Sequence, residues 1–308
     1  MQRCRWAGWL LGCAGLLSAA FAGHASDENF KLQCTADGEF LQVYSDGTVD
    51  PARCKAIAER ALKAYAFITK HAEWKDPAIL RANPLQFRLL AGNLKVLGYA
   101  KGPNLMVMRD SYMDEPLSEG TLAHELVHIQ DLRQLQGKRF PSFMLEGRAL
   151  TLGNAYRMSL GQPPNSYDQQ MAGSAVRFTA SQAEELLNEY RGQGWNNQAI
   201  GTVLVEFMRT KWNGGVPNIQ PRLSRVVEGM AKGDEFEAAF QKEFAASAQS
   251  VGEAFAAHLN ATQGNAPARL QGTIWQSVSL TSSAQSGAQP SALEAAELAL
   301  WAAEWLDD

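Results

Sequence analysis

The segment His124-Glu125-Leu126-Val127-His128 reads H-E-x-x-H and constrains this 308-residue chain more than any other feature. Residues four apart lie on one face of a helix, so the spacing predicts a helix on which His124 and His128 hold one metal ion. Glu125 is rotated away from that pair but still reaches a water molecule on the metal. The segment therefore predicts both a helix and a metal-dependent chemistry.

A glutamate further along the chain completes a ligand set. Seventeen residues separate His128 from Glu146, and the connection contains Gly137 and Pro141, so a second helix would bring the Glu146 carboxylate back to the histidines. Two histidines, one glutamate and a water are typical of a catalytic zinc site, in which three protein ligands leave one position open. We therefore predict one Zn²⁺ per chain, held by His124, His128 and Glu146.

The residue after the first histidine predicts the reaction. Zinc-bound water loses a proton near neutral pH, and the metal also polarises a carbonyl group. Peptide hydrolysis then needs a base that takes the proton of this water and passes it to the leaving amine. Glu125 stands in the position for that role.

The first 25 residues are typical of a signal peptide. Two arginines precede a run of apolar and small residues over 6–22, and cleavage fits after Ala22 or after Ala25. The run is short for a membrane span, so we expect a periplasmic or secreted protein with no membrane span after signal removal. The alternatives are an uncleaved anchor and a lipoprotein acylated at Cys13, which ends a Leu-Leu-Gly-Cys segment.

Export also bears on the cysteines. Apart from the two in the signal region, only Cys34 and Cys54 remain. An even number of cysteines in an oxidising compartment predicts a disulfide between them, and two free buried thiols are the alternative. The net charge of −4 is mild and no basic block stands out, so a nucleic-acid partner is not expected.

The order of the predicted elements indicates an α+β fold. Strand-like segments at 85–91, 95–99 and 105–109, with a hairpin turn at Gly92-Asn93, predict a small and mostly antiparallel sheet ahead of the active-site helix. One or two further short strands are predicted within 30–43, followed by a helix from Pro51. The predicted organisation is a signal peptide (1–25), a metallopeptidase domain (26–260), a linker (261–290) and a C-terminal helix (291–308). Within that domain, the sheet and active-site helices occupy 26–160 and a helical subdomain occupies 174–260.

The C-terminal helix has an apolar face, which predicts docking onto the body of the protein or onto a partner protein of the envelope. A loosely attached, alanine-rich tail is equally consistent with the same residues.

The metal motif and its surroundings resemble the gluzincins, zinc peptidases whose third ligand is a downstream glutamate, and more narrowly the small bacterial peptidase-MA-like group. The stretch Phe143-Met144-Leu145-Glu146-Gly147-Arg148-Ala149 is similar to the aromatic-x-x-Glu-Gly-x-Ala segment of that group. The resemblance covers residues 30–259 and is specific at the metal motif. It implies a thermolysin-like arrangement, in which a sheet lies over the active-site helix and a helical subdomain closes the cleft. It also implies that Leu105–Arg109 is the edge strand that pairs with an extended substrate.

The resemblance leaves the group that orients the histidines unassigned. Some gluzincins have an aspartate four residues after the ligand glutamate for this purpose, but Leu150 occupies that position here. Asn154, Asp131 or a backbone carbonyl would then take its place. Arg148 either meets a substrate carboxylate or pairs with a local acid.

The group that stabilises the oxyanion is also unassigned. Many relatives supply a tyrosine or histidine for this role, and the candidates here are Tyr112, Tyr156 and Tyr190, with ordinary packing as the alternative for each. No counterpart of an aminopeptidase's acidic motif is found near Leu105–Arg109, which favours an endopeptidase.

The expected function is therefore an exported zinc-dependent endopeptidase, which hydrolyses a peptide or protein substrate through a zinc-bound water activated by Glu125. The alternative is a catalytically weak or inactive zinc-binding envelope protein that acts as an interaction or assembly module. A zinc hydrolase acting on non-peptide amide bonds, such as cell-wall cross-links, is a third possibility.

Overall fold

The computed structural model describes residues 29–38, 40–74, 83–92, 97–163 and 195–263. The strands are β1 (Lys31–Ala36), β2 (Leu41–Ser45), β3 (Leu85–Leu90), β4 (Gly98–Ala100) and β5 (Leu105–Arg109). The α-helices are α1 (Pro51–His71), α2 (Ser118–Leu135), α3 (Ser142–Ser159), α4 (Trp195–Thr210), α5 (Ile219–Ala231), α6 (Phe236–Phe244) and α7 (Ala248–Gln263). The described part of the chain is thus a mixed α+β structure, as predicted.

The sheet is mixed, with the strand order β1-β2-β3-β5-β4. The two outer pairs are antiparallel and the two inner pairs are parallel. The prediction of a mostly antiparallel sheet is therefore wrong. The predicted hairpin at Gly92-Asn93 is also wrong, because β5 lies between β3 and β4. The parallel pairing of β2 with β3 needs a crossover, which α1 provides.

Helix α1 forms where its local sequence predicts it and covers one face of the sheet. The Asp50 side chain accepts hydrogen bonds from the backbone N–H groups of Ala52 and Arg53, and Pro51 is the first helical residue. The predicted disulfide joins Cys34 of β1 to Cys54 in the first turn of α1. The edge strand β1 is thereby tied to the helix that packs behind it.

Glycines allow α2 and α4 to approach α3 closely. A Cβ atom built on Gly153 of α3 would lie 2.7 Å from the backbone oxygen of Gly120 on α2. On another side of α3, a Cβ atom on Gly147 would lie 2.2 Å from the backbone of Gly201 on α4. Helix α3 is therefore held between α2 and α4 with little space for side chains.

Two hydrophobic cores lie on the two sides of these helices. The first is formed by the sheet together with α1, α2 and α3. The second is formed by α4 to α7, with Leu135, Phe140 and Met144 contributed from the ends of α2 and α3 and from their connection. This second core agrees with the predicted helical subdomain over the part of it that is described.

Several predicted features lie outside the described residues: the signal peptide (1–25) with Cys13, the start of the helical subdomain (174–194), the C-terminal helix (291–308) and all of the linker beyond 263, where α7 ends. Among the residues that are described, no helix combines the length and the apolar character needed to cross a membrane.

Candidate metal centre

Three side chains predicted as metal ligands converge on one point. His124, His128 and Glu146 each direct one ligand atom to a group in which all these atoms lie within 4.8 Å of one another. The two imidazole Nε2 atoms are 3.0 Å apart. The Nε2 atom of His124 lies 3.4 Å from Oε2 of Glu146, and that of His128 lies 3.6 Å from Oε1. The structure thus brings together the predicted ligand set.

Two helices position these atoms. Helix α2 presents both histidines on the same face, because they are four residues apart. Helix α3 brings Glu146 to that face, and its close approach depends on Gly153, whose added Cβ would lie 2.7 Å from the backbone oxygen of Gly120, one turn before His124. The distance between the helices is therefore set by backbone contact as well as by the ligand side chains.

The charges around the group fit a divalent cation. Glu125, Asp131 and Arg148 are buried, and Glu146 is partly buried. Even with His128 protonated, the three carboxylates outnumber the two cationic groups, and an unpaired buried charge is costly without a cation. Burial lowers the pKa of His128, but the nearby carboxylates of Glu146, Glu125 and Asp131 together outweigh this effect and raise that pKa to about 9. The donor set of two imidazoles and one carboxylate suits zinc.

The buried acceptor atoms of the group also fit a metal. Oε2 of Glu146 is buried and makes no hydrogen bond of good geometry, although Nε2 of His124 lies 3.4 Å away, and the pKa of the Glu146 carboxyl group is well below the usual range. Burial alone would raise that pKa, and the neighbouring His128 and His124 overcome it. An ionised, buried carboxylate oxygen that lacks a hydrogen bond of good geometry is suited to a cation. The residues present therefore form a group that is able to hold a metal ion, although they do not identify the metal.

Glu125, the predicted base, lies beside these ligands and beneath the sheet. Its side chain is 6% exposed, and burial raises its pKa, while the histidines act in the opposite direction. A hydrogen bond from the backbone of Ala100 reaches its carboxylate, and a Cβ atom on Gly98 would lie 3.6 Å from its Cγ atom. Glu125 is therefore in contact with strand β4.

The strand next to Glu125 is not the one that was predicted as the edge strand. Leu105–Arg109, which forms β5, is paired on both sides, with β3 and with β4. Among the described strands, the outer edge on this side of the sheet belongs to Gly98–Ala100 of β4. The prediction for Leu105–Arg109 is therefore wrong. A continuous apolar run is typical of an interior strand, and the run Leu105 to Met108 carried that signal.

The two described candidates for the oxyanion, Tyr112 and Tyr156, pack away from the ligands. The Tyr112 hydroxyl lies 3.0 Å from Oγ1 of Thr121, and the ring belongs to the first core. Tyr156 is ten residues after Glu146, which corresponds to about 15 Å along a helix. It packs against Phe67 in the first core. Tyr190 lies outside the described residues.

The candidates for orienting the histidines have different surroundings. Nδ1 of His124 is buried and has no hydrogen-bond partner among the described residues. Asn154 is buried on α3, one residue after Gly153. Asp131 accepts a hydrogen bond from Arg148 at 2.8 Å, so the expectation that Arg148 pairs with a local acid is confirmed.

Sequence reasoning missed two features of the site. One is the contact of Gly98 and Ala100 with Glu125, and the other is the crossing of Gly147 with Gly201. A strand of three residues gives too little periodicity to predict its neighbours. Comparisons of the chain with models of known protein families and with characterised proteins found no match.

Proposed function

We propose that this protein is an exported zinc-dependent endopeptidase of the gluzincin type, related to the peptidase-MA-like group and thermolysin-like in arrangement. The observation that carries the proposal is the convergence of His124, His128 and Glu146 beside a buried Glu125. This arrangement has both parts that hydrolysis needs, a ligand set for zinc and a carboxylate base next to it.

The free edge of β4 supports a peptide as the substrate. Lys101 N–H donates to Leu105 and Arg109 N–H donates to Leu97, at 2.7 and 3.1 Å. Backbone groups alternate in direction along an antiparallel strand, so those of Gly98 and Ala100 face away from β5. The Ala100 N–H is directed to Glu125, which leaves the groups of Gly98 and the Ala100 carbonyl for a peptide at the outer edge. An extended peptide that adds to this edge as a further strand would lie beside Glu125.

The residues of the site have separate roles in this proposal. His124, His128 and Glu146 would hold the zinc, which when bound supplies a Lewis acid that polarises water and the substrate carbonyl. Glu125 takes the proton from the attacking water and delivers it to the nitrogen of the leaving amine. The bond to that nitrogen breaks, and the water oxygen remains on the new carboxyl group. Burial raises the pKa of Glu125, which makes it a stronger base than an exposed glutamate.

The test is a Glu125→Gln variant, which keeps the shape of the side chain and removes its basicity. We expect the variant to keep the zinc content of the wild type and to lose cleavage of a peptide library by at least about a hundredfold, the usual contribution of a general base. Zinc content is measured by elemental analysis of the mature chain, and cleavage is measured by mass spectrometry.

A Glu119→Gln variant is the matched control. Glu119 lies on the same helix, and its carboxylate is bound by Arg60 at 2.6 Å. This variant should keep both zinc and cleavage. Full activity in Glu125→Gln would contradict the proposal.

A second candidate is a zinc-binding envelope protein with little or no catalysis, which serves as an interaction or assembly module. The observation that favours it is the position of Tyr112 and Tyr156, two of the candidates for holding the oxyanion, which pack in the first core. A wild-type chain that binds one zinc and yields no chelator-sensitive cleavage of the library would favour this candidate. N-terminal sequencing of the mature chain tests export in either case.

A further inference from the structure

We infer that Asp131 and Arg148 form a buried ion pair that positions the metal ligands, because it fixes the helix carrying Glu146 against the helix carrying His124 and His128. The inference rests on metal binding at the proposed site and is independent of peptidase activity.

The pair is built from residues close to the ligands on both helices. Asp131 follows His128 by three residues on α2, which is about one helical turn, and Arg148 follows Glu146 by two residues on α3. Nη1 of Arg148 lies 2.8 Å from Oδ1 of Asp131, and the two side chains are 1% and 0% exposed. A change at this contact therefore shifts the two ligand helices relative to each other.

Arg148 extends the same contact to two further elements. Its Nη2 donates to Oγ of Ser224 on α5 at 2.6 Å, and its guanidinium lies 5.1 Å from the ring centre of Trp74, which follows α1. A planar guanidinium held on several sides has little freedom to rotate. The position of α3 is therefore fixed against α2 and also against the second core.

Stability alone explains this pair poorly. Oδ2 of Asp131 and Nε of Arg148 are buried without hydrogen-bond partners among the described residues. An incompletely bonded pair recovers little of the cost of removing two charges from water, and apolar residues of similar volume are often as stable. A positioning role accounts for its location, because the pair joins the helix that carries both histidines to the helix that carries Glu146.

The test measures zinc affinity in Asp131→Asn by competition with a chromophoric chelator. Asparagine keeps one acceptor for Arg148 and removes the charge, so we expect the dissociation constant for zinc to rise 10- to 100-fold, the usual effect of losing an outer partner of a ligand. Urea unfolding of the metal-free proteins is measured in parallel, because it separates loss of affinity from loss of folding.

Two further variants distinguish positioning from a general effect on folding. Glu206→Gln is the matched control, because Glu206 is a buried carboxylate bound by Arg209 at 3.0 Å and lies on α4, which carries none of the three ligands. It should leave zinc affinity unchanged. The double variant Asp131→Leu/Arg148→Met replaces the pair by apolar side chains. It should fold about as stably as the wild type without metal, yet bind zinc at least tenfold more weakly.

The outcomes separate this inference from the proposed function. Wild-type zinc affinity in the double variant, or equal losses in Asp131→Asn and Glu206→Gln, would overturn the positioning role. Zinc binding by the wild type without peptide cleavage would contradict the proposed peptidase and leave this inference intact. A wild-type chain that binds no zinc would contradict both the proposed peptidase function and the positioning role of the ion pair.

Discussion

At the scale of single residues, His71 and His258 make the stability of the fold depend on pH. Each imidazole is half-buried and lies against a phenylalanine ring, Phe67 for His71 and Phe207 for His258. Burial lowers the pKa of both histidines below 6.5, and a nearby lysine lowers it further. The unfolded chain therefore binds protons at a higher pH than the folded chain does at these two positions.

The direction of the pH dependence follows from these lowered pKa values. The stabilisation from these histidines is fully present above pH 6.5 and is lost as the pH falls through their lower folded values. We expect the double variant His71→Gln/His258→Gln to lose less unfolding free energy than the wild type between pH 8 and pH 5. Urea unfolding at both pH values measures this difference, and contributions from other titrating groups cancel between the two proteins. An equal or steeper loss in the variant would contradict the pKa directions.

Residues whose roles depend on local geometry were predictable from the sequence. His124 and His128 are four apart on one helix, so their shared face follows from helical periodicity alone. Glu146 needed only a second helix after a short connection. The partner of Arg148 was predicted as a class, a local acid, but its identity as Asp131 depends on how α2 and α3 cross.

At the scale of elements, the crossing of α3 and α4 depends on a pair of glycines. A Cβ atom added at Gly147 would lie 2.2 Å from the backbone of Gly201, and backbone atoms cannot move aside as a flexible side chain can. We expect Gly147→Ala to lower the unfolding free energy by roughly 1–3 kcal/mol or more, because the two helices must separate. Urea unfolding of the metal-free protein measures the change.

Gly92→Ala is the control for that prediction. Nothing lies within 4 Å of an added Cβ at Gly92, so this substitution should change the unfolding free energy by no more than about 0.5 kcal/mol. Equal stability of Gly147→Ala and Gly92→Ala would show that α3 and α4 do not cross as closely as described.

The strands were harder to predict than the helices for a physical reason. Strand segments were found close to their true positions, but their pairing was not, because pairing joins residues distant in the chain. Chain neighbours β3 and β4 were expected to form a hairpin, and instead Leu105–Arg109 lies between them. The same error placed the free edge on Leu105–Arg109 instead of Gly98–Ala100.

At the scale of the whole molecule, the metal ligands lie on the two helices that separate the cores. Helices α2 and α3 contribute to the first core, while their ends and connection contribute Leu135, Phe140 and Met144 to the second. The helical character of the second half was predictable from hydrophobic periodicity. The shared use of α2 and α3 was not, since it depends on how the two halves pack together.

The disulfide acts on the whole molecule because it closes a loop at the outer edge of the sheet. Cys34 and Cys54 are 20 residues apart in the chain, and the bridge joins the edge strand β1 to α1. A loop of that length restricts the unfolded chain enough to stabilise the folded state by about 3 kcal/mol. We therefore expect a reducing agent to lower the unfolding free energy of the wild type by that amount, as measured by urea unfolding.

The double variant Cys34→Ala/Cys54→Ala provides the control for that prediction. It should match the reduced wild type in stability and should not respond to the reducing agent. Its zinc affinity should equal that of the oxidised wild type, because the bridge lies on β1 and α1, whereas the ligands lie on α2 and α3. A loss of zinc affinity in this variant would mean that the edge of the sheet transmits strain to the metal site. Unchanged stability on reduction would mean that the loop is already restricted in the unfolded chain.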